Sequence, residues 1–285
     1  MKTLHMIFFS PILMALLYTG CEPSNSVQLD MDNYYAWCIV PFDSKERTPE
    51  QRIEMLKELG FKSYAYDWRE KHLAEMSHEL ALARANNIDV NAVWMWIDVA
   101  DSVGSLSTLN EQILDIIDET ETETQLWIGI SESWFEGLNH DESMDKANSM
   151  ISYLSDRASE LGCKIGLYNH GGWFGDPANQ VALIKSLPEK DLGIIFNFHH
   201  AHELLDNYQE LVDIMTPYLW AVNLNGMKIE GPKILPIGHG DLEKDMIMLL
   251  EDHGFDGPYG ILGHVEDCDA KVILRRNLEG LLGIL

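Results

Sequence analysis

Positive charge is scarce in this sequence. The 285 residues hold 20 Lys and Arg against 46 Asp and Glu, a formal charge of −26. Nucleic acid and anionic membrane surfaces are bound by clustered Lys and Arg, so both are excluded as partners, and a highly phosphorylated substrate is disfavoured. There is no glycine-rich phosphate loop of the Walker or Rossmann kind either. Cysteine is sparse: with Cys21 set aside, Cys38, Cys163 and Cys268 remain. An odd number at irregular spacing makes no disulfide framework, and these three read as buried thiols. No Pro/Ser/Gly-rich linker divides the chain. The apolar run nearest the start, residues 6–18, is too short for a membrane span and is broken by Pro11.

That run has a different meaning. Lys2 precedes it and Thr19-Gly20-Cys21 follows, the layout of a signal peptide ending in small residues. Gly20-Cys21 resembles the bacterial lipobox, in which the cysteine becomes the lipidated N-terminus. The alternative is an ordinary signal peptide cut nearby. Either way residues 1–20 are leader, residues 21–32 read as a polar tether, and residues 33–285 as the domain. The expected location is the exported side of a membrane, reached only through a lipid on Cys21.

The domain alternates short apolar runs with amphipathic stretches. Strands are expected at 34–40, 61–66, 89–97, 125–130, 163–168, 192–198, 219–224 and 259–263. Helices are expected at 73–85, 109–118, 144–161, 179–186, 204–215, 242–253 and 270–282, after a first one opened by Thr48-Pro49-Glu50-Gln51 and closed by Gly60. Thr48 caps that helix, Pro49 suits its first position and Gln51 completes a capping box. Eight strand–helix units in about 250 residues predict a single α/β domain, a (β/α)8 TIM barrel, with an open doubly wound sheet as the alternative.

Active sites of such barrels lie beyond the C-terminal ends of the strands. Those ends carry Asp67-Trp68-Arg69, Trp94-Met95-Trp96, Ser131-Glu132, Asn169-His170, Asn197 to His202, Asn223-Leu224-Asn225 and Gly263-His264, with His239 in the seventh loop. Six of the eleven histidines, His170, His199, His200, His202, His239 and His264, are thereby expected at one rim. Imidazole binds a transition metal, donates to a sugar oxygen or carries a proton near neutral pH. Trp94, Trp96, Trp134 and Trp173 offer flat faces for sugar rings, or pack the barrel. Strand parity would place Asn197 and His199 on one side and Phe198 and His200 on the other, if the strand runs that far.

The strings Leu167-Tyr168-Asn169-His170-Gly171-Gly172-Trp173-Phe174-Gly175-Asp176-Pro177, Asn197-Phe198-His199-His200-Ala201-His202, Asn223-Leu224-Asn225-Gly226-Met227 and Gly260-Ile261-Leu262-Gly263-His264 resemble a branch of the sugar phosphate isomerase/epimerase proteins, in the xylose-isomerase-like barrel superfamily. The resemblance covers most of residues 33–285. It implies a divalent metal held by Glu, Asp, His and Glu, and carboxylates that move a proton through an enediolate. By position, Asn169 or His170 stands for the first Glu, Asn197 for the Asp, Asn223 or Asn225 for the His, and His264 for the last Glu. His200 matches a substrate-contacting histidine.

The oxygen-rich metal site is therefore replaced by histidine and asparagine. His170, His199 and His264 are the expected ligands of Mn, Zn or Ni, unless the metal is lost. The expected catalytic residues are His170, His200 and Glu132. The expected substrate contacts are Asn169, Trp173, Asn197, His202, Asn223, Asn225, His239, Trp96 and Asp67. The function implied is a sugar isomerase or epimerase, or a lyase or hydratase acting on keto-sugars or keto-glycosides by proton abstraction next to a carbonyl. A non-catalytic carbohydrate-binding lipoprotein on a degenerate barrel is the alternative. A glycoside hydrolase needs two carboxylates across the scissile bond, and strand seven supplies none at its end.

Overall fold

The computed structural model describes residues 29–285; the expected leader and the expected lipidation site at Cys21 lie outside them. Eight parallel strands close a barrel in sequence order: β1 Tyr34–Trp37, β2 Ser63–Tyr66, β3 Asp89–Ile97, β4 Gln125–Ile130, β5 Lys164–Tyr168, β6 Leu192–Asn197, β7 Leu219–Leu224 and β8 Tyr259–Leu262. The helices are α1 Pro49–Leu59, α2 Leu73–Ala85, α3 Thr108–Glu119, α4 His140–Glu160, the single turn α5 Gly172–Gly175, α6 Pro177–Ser186, α7 Tyr208–Met215, α8 Glu243–Asp252 and α9 Ala270–Ile284. The (β/α)8 expectation holds, and the open sheet is excluded by the β1–β8 pairing of Tyr34–Trp37 with Tyr259–Leu262. Among the described residues no helix is long and apolar enough to cross a membrane.

Local chemistry sets the elements where it is strong. Thr48 and Gln51 form the reciprocal capping box of α1, and Gly60 ends the helix at a φ of 82°. Such a φ carries little penalty in glycine. Cys38, Cys163 and Cys268 are free thiols; Cys163 is buried as expected, while Cys38 and Cys268 are only half-buried.

Two apolar layers follow from strand alternation. Outward-facing side chains pack beneath the helices, and partly buried Leu29 and Met31 join them. The interior is filled from the other strand face by Tyr35, Trp37, Trp127, Tyr168, Ile195 and Leu262, with alanines on β2, β3 and β7. Trp127 is fully buried, with ring centroids 5.1 Å from Trp37 and 5.8 Å from Tyr35. Its bulk is accommodated by small neighbours: a Cβ on Gly166 would lie 3.0 Å from the Trp127 ring. This aromatic plug seals the barrel and forms the base on which the mouth is built.

Candidate functional site

β1 ends abruptly at Trp37. Cys38 takes a left-handed φ of 56°, costly for a residue with a Cβ. The chain turns there, and the backbone N–H of Val40 donates to Asp67 Oδ1 at 3.3 Å. Asp67, just beyond β2, is 3 % exposed, and its Oδ2 has no hydrogen-bond partner. Burial raises its pKa to about 6, against the Val40 N–H and the Arg69 charge, which lower it.

Around this carboxyl the strand ends carry a closed ring of planar groups. Phe42 stacks on His264 at 3.5 Å between centroids, and His264 lies 6.2 Å from His199. His199 follows His200 at 4.6 Å, His200 follows His170 at 4.4 Å, and His170 meets Trp96 edge-on at 4.7 Å. Trp96 stacks on Trp94 at 5.7 Å. The Arg69 guanidinium closes the circle, 5.9 Å from Trp94 and 5.0 Å from Phe42. The order follows the barrel circumference.

Two cavities open inside and beside this ring. The inner cup, about 160 Å³, includes Trp37, Phe42, Asp67, Trp94, Tyr168 and Leu262 in its lining. The outer compartment, about 410 Å³, includes Trp96, Ser131, Glu132, His202, Glu203 and Lys233. His170, His199 and His200 line both. A larger cavity of about 650 Å³ lies at the opposite ends of β3, β4 and β5, against Asp89, Gln125 and Lys164. It lacks histidine and faces the end of the barrel that carries no rim, so size alone does not mark the site.

The rim histidines are neutral bases. Burial holds His199 down at about 4 and His200 at about 2; the charge of His264 adds to the first shift, and those of His170 and His199 add to the second. His170, the most open of them, is lowered by desolvation and then by Arg69. His202 is lowered chiefly by desolvation; so is His264, although its Nε2 also lies 2.9 Å from Glu266.

The expected metal triad does not assemble. His170 and His264 end an arc whose middle is His200 and His199, and His199 Nδ1 is engaged with the Lys233 carbonyl at 3.3 Å. Among the described residues no three His, Cys, Asp or Glu side chains converge on a point that holds a metal. The donors present do not fit the three-histidine site.

Other expectations are redistributed. Asp67, Asn197, His170, His199, His200 and His264 line the inner cup, and Glu132, Trp96 and His202 the outer compartment. Asn169, Asn223 and Asn225 are fully buried and line neither cavity. Asn169 is bonded to the Asn197 backbone in both directions, Asn223 Oδ1 accepts from Tyr35 Oη at 2.7 Å, and Asn225 Nδ2 donates to the Gly226 and Lys233 carbonyls. They are struts of the rim. Trp173 packs on Phe135 and donates to His140, and Trp134 is buried against Phe135, so neither is a wall. His239 is exposed on the seventh loop and lines neither cavity. The parity argument fails beyond Asn197 because the chain turns there into a 3-10 helix, Phe198–His200, which brings His199 and His200 to the same cavity.

Phe42, Cys38 and Lys233 were not anticipated. The strand-end rule applied to β1 finds the first two. Lys233 has no such signal, because a loop of irregular structure carries it to the rim.

No family model matches the chain. An uncharacterized protein of Methanocaldococcus jannaschii is 28% identical over 151 residues, 48% of this chain and 50% of that protein, so the match spans half of the relative's length. Solved structures match more widely. A 3-keto-D-glucoside 4-epimerase of E. coli superposes with a TM-score of 0.63 at 16% identity, over 88% of this chain and 98% of the other. A D-psicose 3-epimerase crystallised with D-fructose gives 0.62 at 14%, over 87% and 96%. A xylose isomerase domain-containing protein of Salmonella typhimurium gives 0.62 at 12%, over 90% and 99%. At these identities the likeness establishes a shared (β/α)8 barrel fold and no more.

Proposed function

We propose that the chain is a sugar-active enzyme that moves a proton on a carbon next to a carbonyl, the step common to isomerisation, epimerisation and elimination of a neighbouring C–O bond. One observation carries the reading. A cup walled by flat rings holds neutral imidazoles beside a buried carboxyl whose Oδ2 is unpartnered. Flat apolar faces suit the C–H faces of a sugar ring, and a neutral imidazole takes a proton that a carbonyl has acidified. His170 is the base in this reading, being the most open of the cluster. His200 beside it and Asp67 in its acid form donate to the oxygen that gains charge as the enolate forms. The epimerases that share the fold support the sugar class.

The test is deuterium wash-in. Keto-sugars and keto-glycosides incubated with the protein in heavy water should acquire deuterium beside the carbonyl, detected by NMR. His170→Ala should lose the exchange while still binding sugar. Absence of exchange from the unmutated protein across the panel, with binding retained, would favour the second reading, a non-catalytic carbohydrate-binding lipoprotein. What favours that reading is that the expected ligand positions at Asn169, Asn197 and Asn223 are taken by amides bonded into the barrel.

We also propose export with a lipid on Cys21. Labelled fatty acid should enter the chain in a bacterial host and fail to enter Cys21→Ser.

A further inference from the structure

The mouth has two compartments that share one wall, and the chemistry changes across it. Pockets for drug-sized ligands run from about 300 to 1,000 Å³. The inner cup, about 160 Å³, falls below that range, while the outer compartment, about 410 Å³, lies within it. The inner cup therefore has room for one ring-sized group. Its sides are carbon-rich faces, Trp37, Phe42 and Trp94, above the single carboxyl of Asp67. The outer compartment is a hydrogen-bonding surface of Ser131, Glu132, Glu203 and Lys233, with Trp96 as its one indole face. A deep, flat-walled cup suits the face of a ring; an open polar shelf suits the hydroxyl edge of a second one.

We infer that the substrate is a two-ring glycoside. The ring that reacts sits in the inner cup, the second sugar or aglycone lies in the outer compartment, and the bond between them crosses the wall of His170, His199 and His200. This rests on the sugar reading above and adds the length of the substrate. It also accounts for the placement of the histidines, since a reacting centre at the wall is reached from either compartment.

Tryptophan fluorescence tests this, because Trp94 and Trp96 line the two compartments. The full-length chain is titrated with glucose, methyl β-glucoside, cellobiose and lactose, and with the 3-keto form of each. Disaccharides should bind at least about tenfold more tightly than monosaccharides, a difference of about 1.4 kcal/mol. Lys233→Ala and Glu203→Gln should weaken disaccharides several-fold more than monosaccharides, and Trp94→Ala should weaken both alike. Lys233 and Glu203 are exposed, so their substitution leaves the fold intact, which circular dichroism checks. Equal affinity for one ring and two, with the outer variants weakening both alike or neither, would overturn the two-ring inference and leave the sugar reading standing. No saturable response to any sugar would overturn both.

Discussion

The edge of the His170 imidazole rests against the Trp96 indole, centroids 4.7 Å apart and planes at 67°, and both lie over Gly129 of β4. A Cβ at Gly129 would stand 2.7 Å from the Trp96 ring and 3.7 Å from His170 Cβ. The missing side chain lets the indole cross the strand. Gly129→Ala should therefore displace Trp96 from His170. Overpacking of this kind costs about 1–3 kcal/mol. The expected result is a modest drop in urea midpoint with a larger fall in kcat/KM for proton exchange, and Trp96→Ala should reproduce the kinetic part without the packing penalty. A fall in stability with unchanged kinetics would mean the ring is a wall of the fold only.

Asp67 and the rim histidines make opposite contributions to acid stability. Asp67 titrates near 6 when folded, against an ordinary 3.8. Between those values the folded chain holds a proton that the unfolded chain has lost, so this contribution is present at low pH and fades as pH rises through about 6. At full extent it is worth about 2–3 kcal/mol. His199 and His200 are held near 4 and 2, against 6.5. Their contribution is present above pH 6.5 and is lost as pH falls toward those values. Asp67→Asn should steepen the loss of stability between pH 6 and 4, and His200→Asn should flatten it, as read from urea unfolding at several pH values. Parallel profiles for all three proteins would remove both assignments. If the protonated Asp67 donates during catalysis, kcat/KM of the unmutated protein should also decline above pH about 6, and Asp67→Asn should lack that decline.

The frame was legible in the sequence where short-range chemistry is strong. β3, β4, β7 and α2 have the limits that periodicity assigns, because the apolar pattern and its punctuation agree there. The position of the mouth followed from the strand ends, and five of the six anticipated histidines line it. What was not legible is the direction of side chains once the strands stop. His199 and His200 turn together because Asn197 Oδ1 accepts from the His199 N–H and starts a 3-10 turn. Lys233 reaches the rim through hydrogen bonds between its backbone carbonyl and the side chains of His199 and Asn225, partners 34 and 8 residues away in sequence. No local pattern encodes such meetings.

Beneath α1 and α2, Arg52 and Glu79 form a buried two-pronged ion pair, with N–O distances of 2.7 and 2.9 Å, and Tyr64 Oη donates to the same carboxylate. Arg52 is 2% exposed and Glu79 is fully buried. Removing one partner strands the other charge away from water, at a cost of about 3–5 kcal/mol. Glu79→Ala should lower stability by that order. The pair Arg52→Met with Glu79→Leu should recover much of it, since no charge is left unpaired, although the Tyr64 hydroxyl and the Arg47 carbonyl each lose a partner. Chemical denaturation of the single and double variants checks both, and a double variant as weak as the single would show that the pair holds the fold beyond its charge balance.

Glu243 pins the loop between β7 and α8 at three backbone points. The Glu243 carboxylate accepts from the backbone N–H groups of Met227, Gly238 and Gly240, each at 2.9 Å, and is 2% exposed. A Cβ on Gly240 would lie 2.1 Å from this carboxylate, so the approach of backbone to acid requires glycine there. The pinned span carries Lys233 to the outer compartment and presents its carbonyl to His199. Glu243→Ala would strand three backbone donors, each worth about 1–3 kcal/mol if left unpaired in the interior. The loop is near enough to water to hydrate some of them by opening, so the measured loss should fall toward the lower part of that range. Opening has its own signature. Amide exchange across residues 226–242 should accelerate while the barrel strands stay protected, and binding of two-ring sugars should weaken more than binding of single rings. Uniform acceleration over the barrel would instead mean that Glu243 supports the whole domain, and the loop could not then be treated as a separate element of the site.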